Sequence, residues 1–196
     1  MPESTRPYLP TSDRRRQLLD AAAAVFAREG YAGMTMASLA DEAHVSRRLV
    51  YNHFPNLATL YEEFFIDRAS RYVDGIMQLN EGTTEVVVAF EQTFRFLLDM
   101  PPGDFRALRL VFTDTGLSAL DSARETLRSH IESRWLPLVT SVGFDEETAR
   151  ARIWSMVGAL FALSELVTRG EASIECAAQT ATGLVVSMRA HLPPPS

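Results

Sequence analysis

Ser46-Arg47-Arg48-Leu49-Val50-Tyr51-Asn52-His53-Phe54 is the stretch whose reading decides the fold. The Ser46 hydroxyl can accept a hydrogen bond from a backbone N–H two or three residues on, so a helix starts there. In that helix Leu49, Val50 and Phe54 can pack inward, leaving Arg47, Arg48, Tyr51, Asn52 and His53 toward solvent. Cations, amide donors and a phenol on one short helix are the groups that meet phosphates and base edges in a DNA major groove.

Upstream, residues 1–11 contain three prolines and no periodicity, and they read as a loose arm. Thr11, Ser12 or Asp13 can cap a first helix. Arg14, Arg15 and Arg16 sit on its first turn, the unfavourable end of the helix dipole for cations. Two explanations stand: phosphate contact, or a solvated cluster paired with Asp13 and Asp20. Leu18, Ala22, Val25 and Phe26 recur at helical spacing, and Gly30 marks the end near Glu29. After the connector Tyr31–Met34, Thr35 can cap a second helix from Met36 to Ala43 that buries Met36, Leu39 and Ala40. His44 occupies the following tight turn, where positive φ is expected and His tolerates it better than most side chains. A long helix and two short ones about three residues apart match the helix-turn-helix, over residues 12–56, with the last helix reading DNA.

Downstream, Pro55 breaks the helix and Asn56 caps the next, in which Leu57, Leu60, Tyr61, Phe64, Phe65, Ala69, Tyr72, Val73, Ile76 and Met77 form an apolar stripe. Further helical patterns span 86–98, 103–112, 117–142 with Pro137 expected to kink or divide it, 146–169 and 173–191. A break is expected at Gly116. The fold class is therefore all-α, with about nine helices: the N-terminal head, a helical ligand-binding and dimerisation body over 57–192, and a tail at 193–196.

The chain has 196 residues and a net charge of -6, which argues against nonspecific coating of nucleic acid. The charge is uneven. Residues 1–55 carry seven Arg against six acids, whereas the remainder carries twelve against nineteen. No run of 18 apolar residues and no signal-peptide pattern is seen, so a cytoplasmic protein away from membranes is expected. The single cysteine, Cys176, cannot form an intrachain disulfide or thiolate zinc site, and reads as a buried or half-buried small residue. Neither a phosphate-binding glycine loop nor a nucleophile turn nor a metal spacing occurs among His44, His53, His130 and His191. No enzyme, metal or cofactor is expected.

Residues about 14 to 60 resemble the DNA-binding domain of the TetR family of transcriptional regulators. The matching positions are Val25-Phe26-Ala27-Arg28-Glu29-Gly30-Tyr31, Thr35-Met36-Ala37-Ser38-Leu39-Ala40, Ala43-His44-Val45-Ser46 and Val50-Tyr51-Asn52-His53-Phe54. Three positions depart from the family's usual residues: His44 for Gly, Arg48 for a small residue, and Leu57 for Lys. The resemblance implies that Thr35 and Tyr51 bond backbone phosphates and that Arg47, Leu49 and His53 face base edges. With Ser46, Arg48 and Asn52 these form the expected DNA-binding set.

The resemblance also implies a homodimer on a palindromic operator, acting as a repressor released by a small, largely apolar molecule. Small residues on the last two helices give the expected interface: Gly158, Ala162 and Ala181, beside Phe161, Leu184 and an exposed-looking Leu160. The expected pocket comprises Phe94, Phe105, Phe112, Trp135 and Trp154, with Arg109 and Glu165 as polar groups or, equally, as a surface salt bridge. The alternative function is a helix-turn-helix-shaped adaptor that binds protein, for which the acidic body and the missing Lys at Leu57 speak.

Overall fold

The computed structural model describes residues 11–113 and 117–189. The rest of the expected arm, the break at Gly116, His191 and the tail lie outside them. Among the described residues there are nine α-helices and no strand: α1 Thr11–Gly33, α2 Met36–Glu42, α3 Arg47–His53, α4 Leu57–Leu79, α5 Val86–Leu98, α6 Pro102–Phe112, α7 Asp121–Ser141, α8 Glu146–Thr168 and α9 Ile174–Arg189. A 3-10 turn at Ser118–Leu120 leads into α7.

Caps written into the sequence set the early helix starts. Thr35 and Ser38 form a reciprocal capping box on α2, with the Ser38 N–H donating to Thr35 Oγ1 at 3.0 Å. Ser46 Oγ accepts from the Leu49 N–H at 3.2 Å, and Asn56 Oδ1 from the Thr59 N–H at 2.9 Å. Between α2 and α3 the Val45 N–H donates to the Ala40 carbonyl and the His44 N–H to that of Asp41, with His44 at φ 53. That is the paired ending of a helix whose terminal residue is left-handed, as expected for His44. Replacing Ser46 by Ala should cost about 1 kcal/mol in urea denaturation; an unchanged midpoint would show that the cap holds nothing.

Three elements differ from expectation. The break at Gly30 (φ 72) is present, but the chain re-enters one helical turn and reaches Gly33. Tyr31 holds that turn: its ring stacks on Tyr61 at 4.2 Å and its carbonyl accepts from the Tyr61 hydroxyl. Burial pushes the Tyr61 phenol up to about 12, so it stays a donor at neutral pH. Pro137 does not divide α7, which continues to Ser141 with Pro137 on its exposed side. Cys176 is exposed, because α9 turns that side away from its neighbours.

The core is continuous from Leu18 to Val185. Phe26 of α1 packs on Phe64 and Phe65 of α4 with ring centroids 5.3 and 5.7 Å apart, so the N-terminal helices and the body share one apolar interior. In the body α4 lies on α7, α7 on α8, α8 on α9 and α9 on α5. α6, like α4, also packs on α1. The approach there is close: a Cβ on Gly103 would sit 2.6 Å from the Ala27 Cβ.

Candidate nucleic-acid interface

α3 is pinned from beneath and open above. Val50 and Phe54 are wholly buried, Leu49 is half-buried, and Arg47, Arg48 and Asn52 are exposed. Tyr51 is 51% exposed, which excludes a core role for its ring. Among the described residues neither Arg47 nor Arg48 is held in an ion pair, so both guanidinium groups are available to a ligand. Ser46 is exposed and its Oγ accepts from the Leu49 N–H, a cap that does not use the hydroxyl proton. Thr35 is exposed at the start of α2; its Oγ1 accepts from the Ser38 N–H and also shares a 3.0 Å hydrogen bond with the Ser38 hydroxyl, in which either can donate.

The arginine cluster of α1 divides. Arg15 is structural: its Nε donates to Glu63 of α4 at 2.8 Å, a second nitrogen reaches the same carboxylate, and Nη1 donates to the His53 carbonyl at 3.0 Å. Its guanidinium lies 4.9 Å from the Phe54 ring centre. One side chain thus ties α1, the end of α3 and α4, placing its charge where the α3 dipole favours it. Among the described residues Arg14 donates to Gln17 of its own helix, at 2.6 Å, and Arg16 is exposed. These two remain available for phosphate.

His53 is half-buried at the end of α3. Burial first, then the charges of Arg15 and Arg14, hold its imidazolium below the ordinary histidine range. It is therefore neutral at pH 7. A bound phosphate would favour the charged form, so DNA affinity should rise severalfold as pH falls from 7.5 to 6, and His53→Gln should flatten that slope in fluorescence anisotropy. An equal slope in the variant would remove His53 from the contact.

Residues 18–64 match the family described as bacterial regulatory proteins, tetR family. Over these N-terminal helices the chain is similar to the TetR family. It is 33% identical over 104 residues to the HTH-type transcriptional activator FasR of Mycolicibacterium smegmatis, an alignment covering 53% of this chain and 48% of that protein. The chain thus spans about half the length of that curated relative. A TetR-like transcriptional regulator from Rhodococcus sp. RHA1 superposes with a TM-score of 0.74 at 21% identity, covering 94% of this chain and 100% of the other. The multidrug binding protein EbrR, complexed with imidazole, gives 0.64 at 20%, covering 97% and 98%. At these identities the structures establish the all-helical TetR-like fold.

In the helical body the expected pocket residues divide. Phe105, Arg109 and Glu165 line one cavity of about 430 Å³ between α5, α6, α8 and α9. Phe112 and Trp154 line a second of about 220 Å³, against α7. Phe94 and Trp135 belong to neither: Phe94 is wholly buried, and Trp135 meets Phe90 edge-on at 6.4 Å. Arg109 and Glu165 pair with each other at 3.2 Å at the cavity rim. A third hollow, of about 210 Å³, contains none of the expected residues; it lies among Val86, Val142, Phe144 and Val185, where Arg152 stands 4.1 Å over the Phe144 ring.

On α8 and α9, Gly158, Ala162, Leu166, Leu184 and Val186 are exposed. Ala181 and Leu160, expected on that face, are instead buried in the chain's own core at 1% and 3%. Phe161 is half-buried against Phe105 and Phe112 of α6, at 5.9 and 4.4 Å. By length and composition alone α8 could cross a membrane, and most of its apolar stretch is uncovered within the chain.

Two buried polar side chains stand inside apolar stripes. Arg68 occupies a place in the apolar stripe of α4, between Phe64 and Tyr72, and its side chain is 5% exposed. It meets Asp67 of its own helix, Asp20 of α1 at 3.1 Å and Asp104 of α6 at 3.2 Å. Desolvation pulls its charge down, but Asp67 and Asp104 outweigh it and hold the guanidinium ionised. Ser164, in the apolar run of α8, is the second.

Proposed function

We propose that this TetR-type regulator binds a palindromic duplex operator as a two-fold dimer and responds to a small molecule held in its helical body. The reading head is residues 12–56 and the body 57–192, working in the cytoplasm. The observation that carries this is α3: Arg47 and Arg48, in no ion pair among the described residues, stand with Tyr51 and Asn52 on an exposed face whose underside is locked by Val50, Phe54 and the Arg15 clamp. A rigid cationic ridge of this kind presents donors to guanine edges and phosphates without rearrangement.

One such helix contacts too few bases to be selective, whereas two held about 34–36 Å apart read successive major grooves. The exposed apolar face of α8 and α9, with Gly158 and Ala162 admitting close helix approach, is suited to a second copy. An occupied operator blocks other proteins from the same duplex, and repression is the direct consequence. Activation is favoured by one observation, the activator FasR among the relatives; the operator's position relative to the promoter would then set the sign.

The test is selection of duplexes from a random pool by the full chain, followed by fluorescence anisotropy across salt and sedimentation of free and bound protein. Expected are an enriched inverted repeat, two chains per duplex and affinity that falls steeply with salt. Failure to enrich any duplex would remove the regulator reading and favour a protein-binding adaptor.

A further inference from the structure

Ser164 sits on the wall of the 430 Å³ cavity, 1% exposed, and among the described residues its Oγ has no hydrogen-bond partner. Hydroxyls inside helices ordinarily bond the carbonyl four residues back. Others in this molecule do: Thr140 to Leu136, Ser155 to Ala151, Thr168 to Ser164 itself and Thr180 to Cys176, all at 2.8–2.9 Å. Ser164 does not. A buried hydroxyl left unmatched is destabilising, which makes sense on a cavity wall if a guest supplies the partner.

The charges around the same cavity say what else the guest carries. Arg106 and Arg109 line it, with Glu165 as the acid on its wall. Arg109 is 44% exposed and bound to Glu165 at 3.2 Å, while Glu165 is also held by Arg169 at 3.0 Å. An incoming anion can draw Arg109 away and leave Glu165 still paired with Arg169. A cation would have to compete with two guanidinium groups for one carboxylate. The remaining wall is apolar, formed by Leu97, Met100, Phe105, Val167 and Ile174 among others, and the volume lies within the roughly 300–1,000 Å³ of small-molecule sites.

We propose that this cavity takes an amphipathic carboxylate: apolar body against α5, α6 and α8, negative charge at Arg109, and an acceptor oxygen receiving the Ser164 hydroxyl proton. The inference rests on the ligand-responsive reading above and names its effector class. α6 also donates from Arg106 Nη1 to the Ala27 carbonyl of α1 at 3.0 Å, so the cavity shares a helix with the reading head.

Calorimetric titration of the full chain with 4-phenylbutyrate, 4-phenylbutyramide and 4-phenylbutylamine holds the body constant and varies the charge. The acid should bind, the amide about fivefold or more weaker, and the amine not measurably. Ser164→Ala should weaken the acid about fivefold while raising the unfolding temperature of the free protein, since the unmatched hydroxyl is gone. A merely structural serine would move both in the same direction or neither. Arg109→Gln should abolish the preference for acid over amide. Equal binding of acid and amine, absence of acid binding at millimolar concentration, or unchanged acid affinity in Ser164→Ala overturns the assignment. Acid binding without any change in operator affinity would keep this site and sink ligand control; operator release by a neutral compound, with the acid inert, would do the reverse.

Discussion

The double variant Arg47→Ala, Arg48→Ala should lose about 100-fold or more in operator affinity, with no matching loss of stability. The magnitude follows from what each guanidinium can do. A bidentate contact to guanine is worth about 1–3 kcal/mol of discrimination, and even a pure phosphate contact releases a counterion on binding. If both arginines of each of the two chains meet only phosphates, the slope of log affinity against log salt should flatten by about 4. If one of each pair reads a base, the slope should flatten by about 2, and selectivity at one position of each half-site should relax. Fold effects should be small, within about 0.5 kcal/mol, because both side chains are exposed and take no ion pair among the described residues. Circular dichroism and urea denaturation check the fold, and anisotropy on the selected duplex checks the affinity. Undiminished binding by a folded double variant would transfer recognition away from α3. Arg48 merits its own single variant, since it stands where the family usually keeps a small residue and adds reach as well as charge.

The head was more legible than the body for a local reason. Thr35, Ser46 and Asn56 each carry a capping side chain three residues before the N–H they accept, so the helix starts are written in neighbouring residues. His44 is likewise decided within its own turn. Cavity membership is decided between elements, which periodicity does not report. It marks Phe94 and Phe105 alike as inward-facing, yet Phe94 is wholly buried whereas Phe105 borders the 430 Å³ cavity. The same limit applies to Arg15, which at its place on the first turn of α1 resembles its neighbours Arg14 and Arg16. Only the return of α4 alongside α1 supplies Glu63 and turns it into a clamp. Arg68 and Ser164 left a usable signal, a polar residue inside an apolar stripe, but the partners of the first and the solitude of the second required three dimensions. Ala181 shows the converse error: a small residue at a plausible contact spacing is as readily spent on the chain's own core.

Arg68→Met should cost about 2–3 kcal/mol of stability and loosen the reading head from the body. Breaking a buried ion pair by removing one partner typically costs about 3–5 kcal/mol, because a charge stays behind without compensation. Here the carboxylates left behind are partly hydrated, with side chains 22% exposed at Asp67, 29% at Asp104 and 50% at Asp20, so the cost falls below that range. Arg71 also keeps Asp20 and Asp67 paired, at 2.9 and 3.1 Å. Asp104 is the carboxylate that loses its cation, and it lies on the first turn of α6, the helix that packs closely on α1 at Gly103. Adding Asp104→Asn should therefore recover part of the loss, whereas Asp20→Asn should recover little, since Arg71 already compensates it. Urea midpoints for the three backgrounds test this order, and equal recovery by both aspartate variants would refute it. The same variants bear on control of the head. Arg68 bonds α1, α4 and α6 at once, and α6 forms one wall of the 430 Å³ cavity, so a ligand there can bias the position of α1 only if it binds the two arrangements with different affinity. In Arg68→Met, operator affinity at 25 °C should weaken modestly, but its response to any effector should shrink more. A full response would mean that α4 alone carries the motion, independent of the α6–α1 junction.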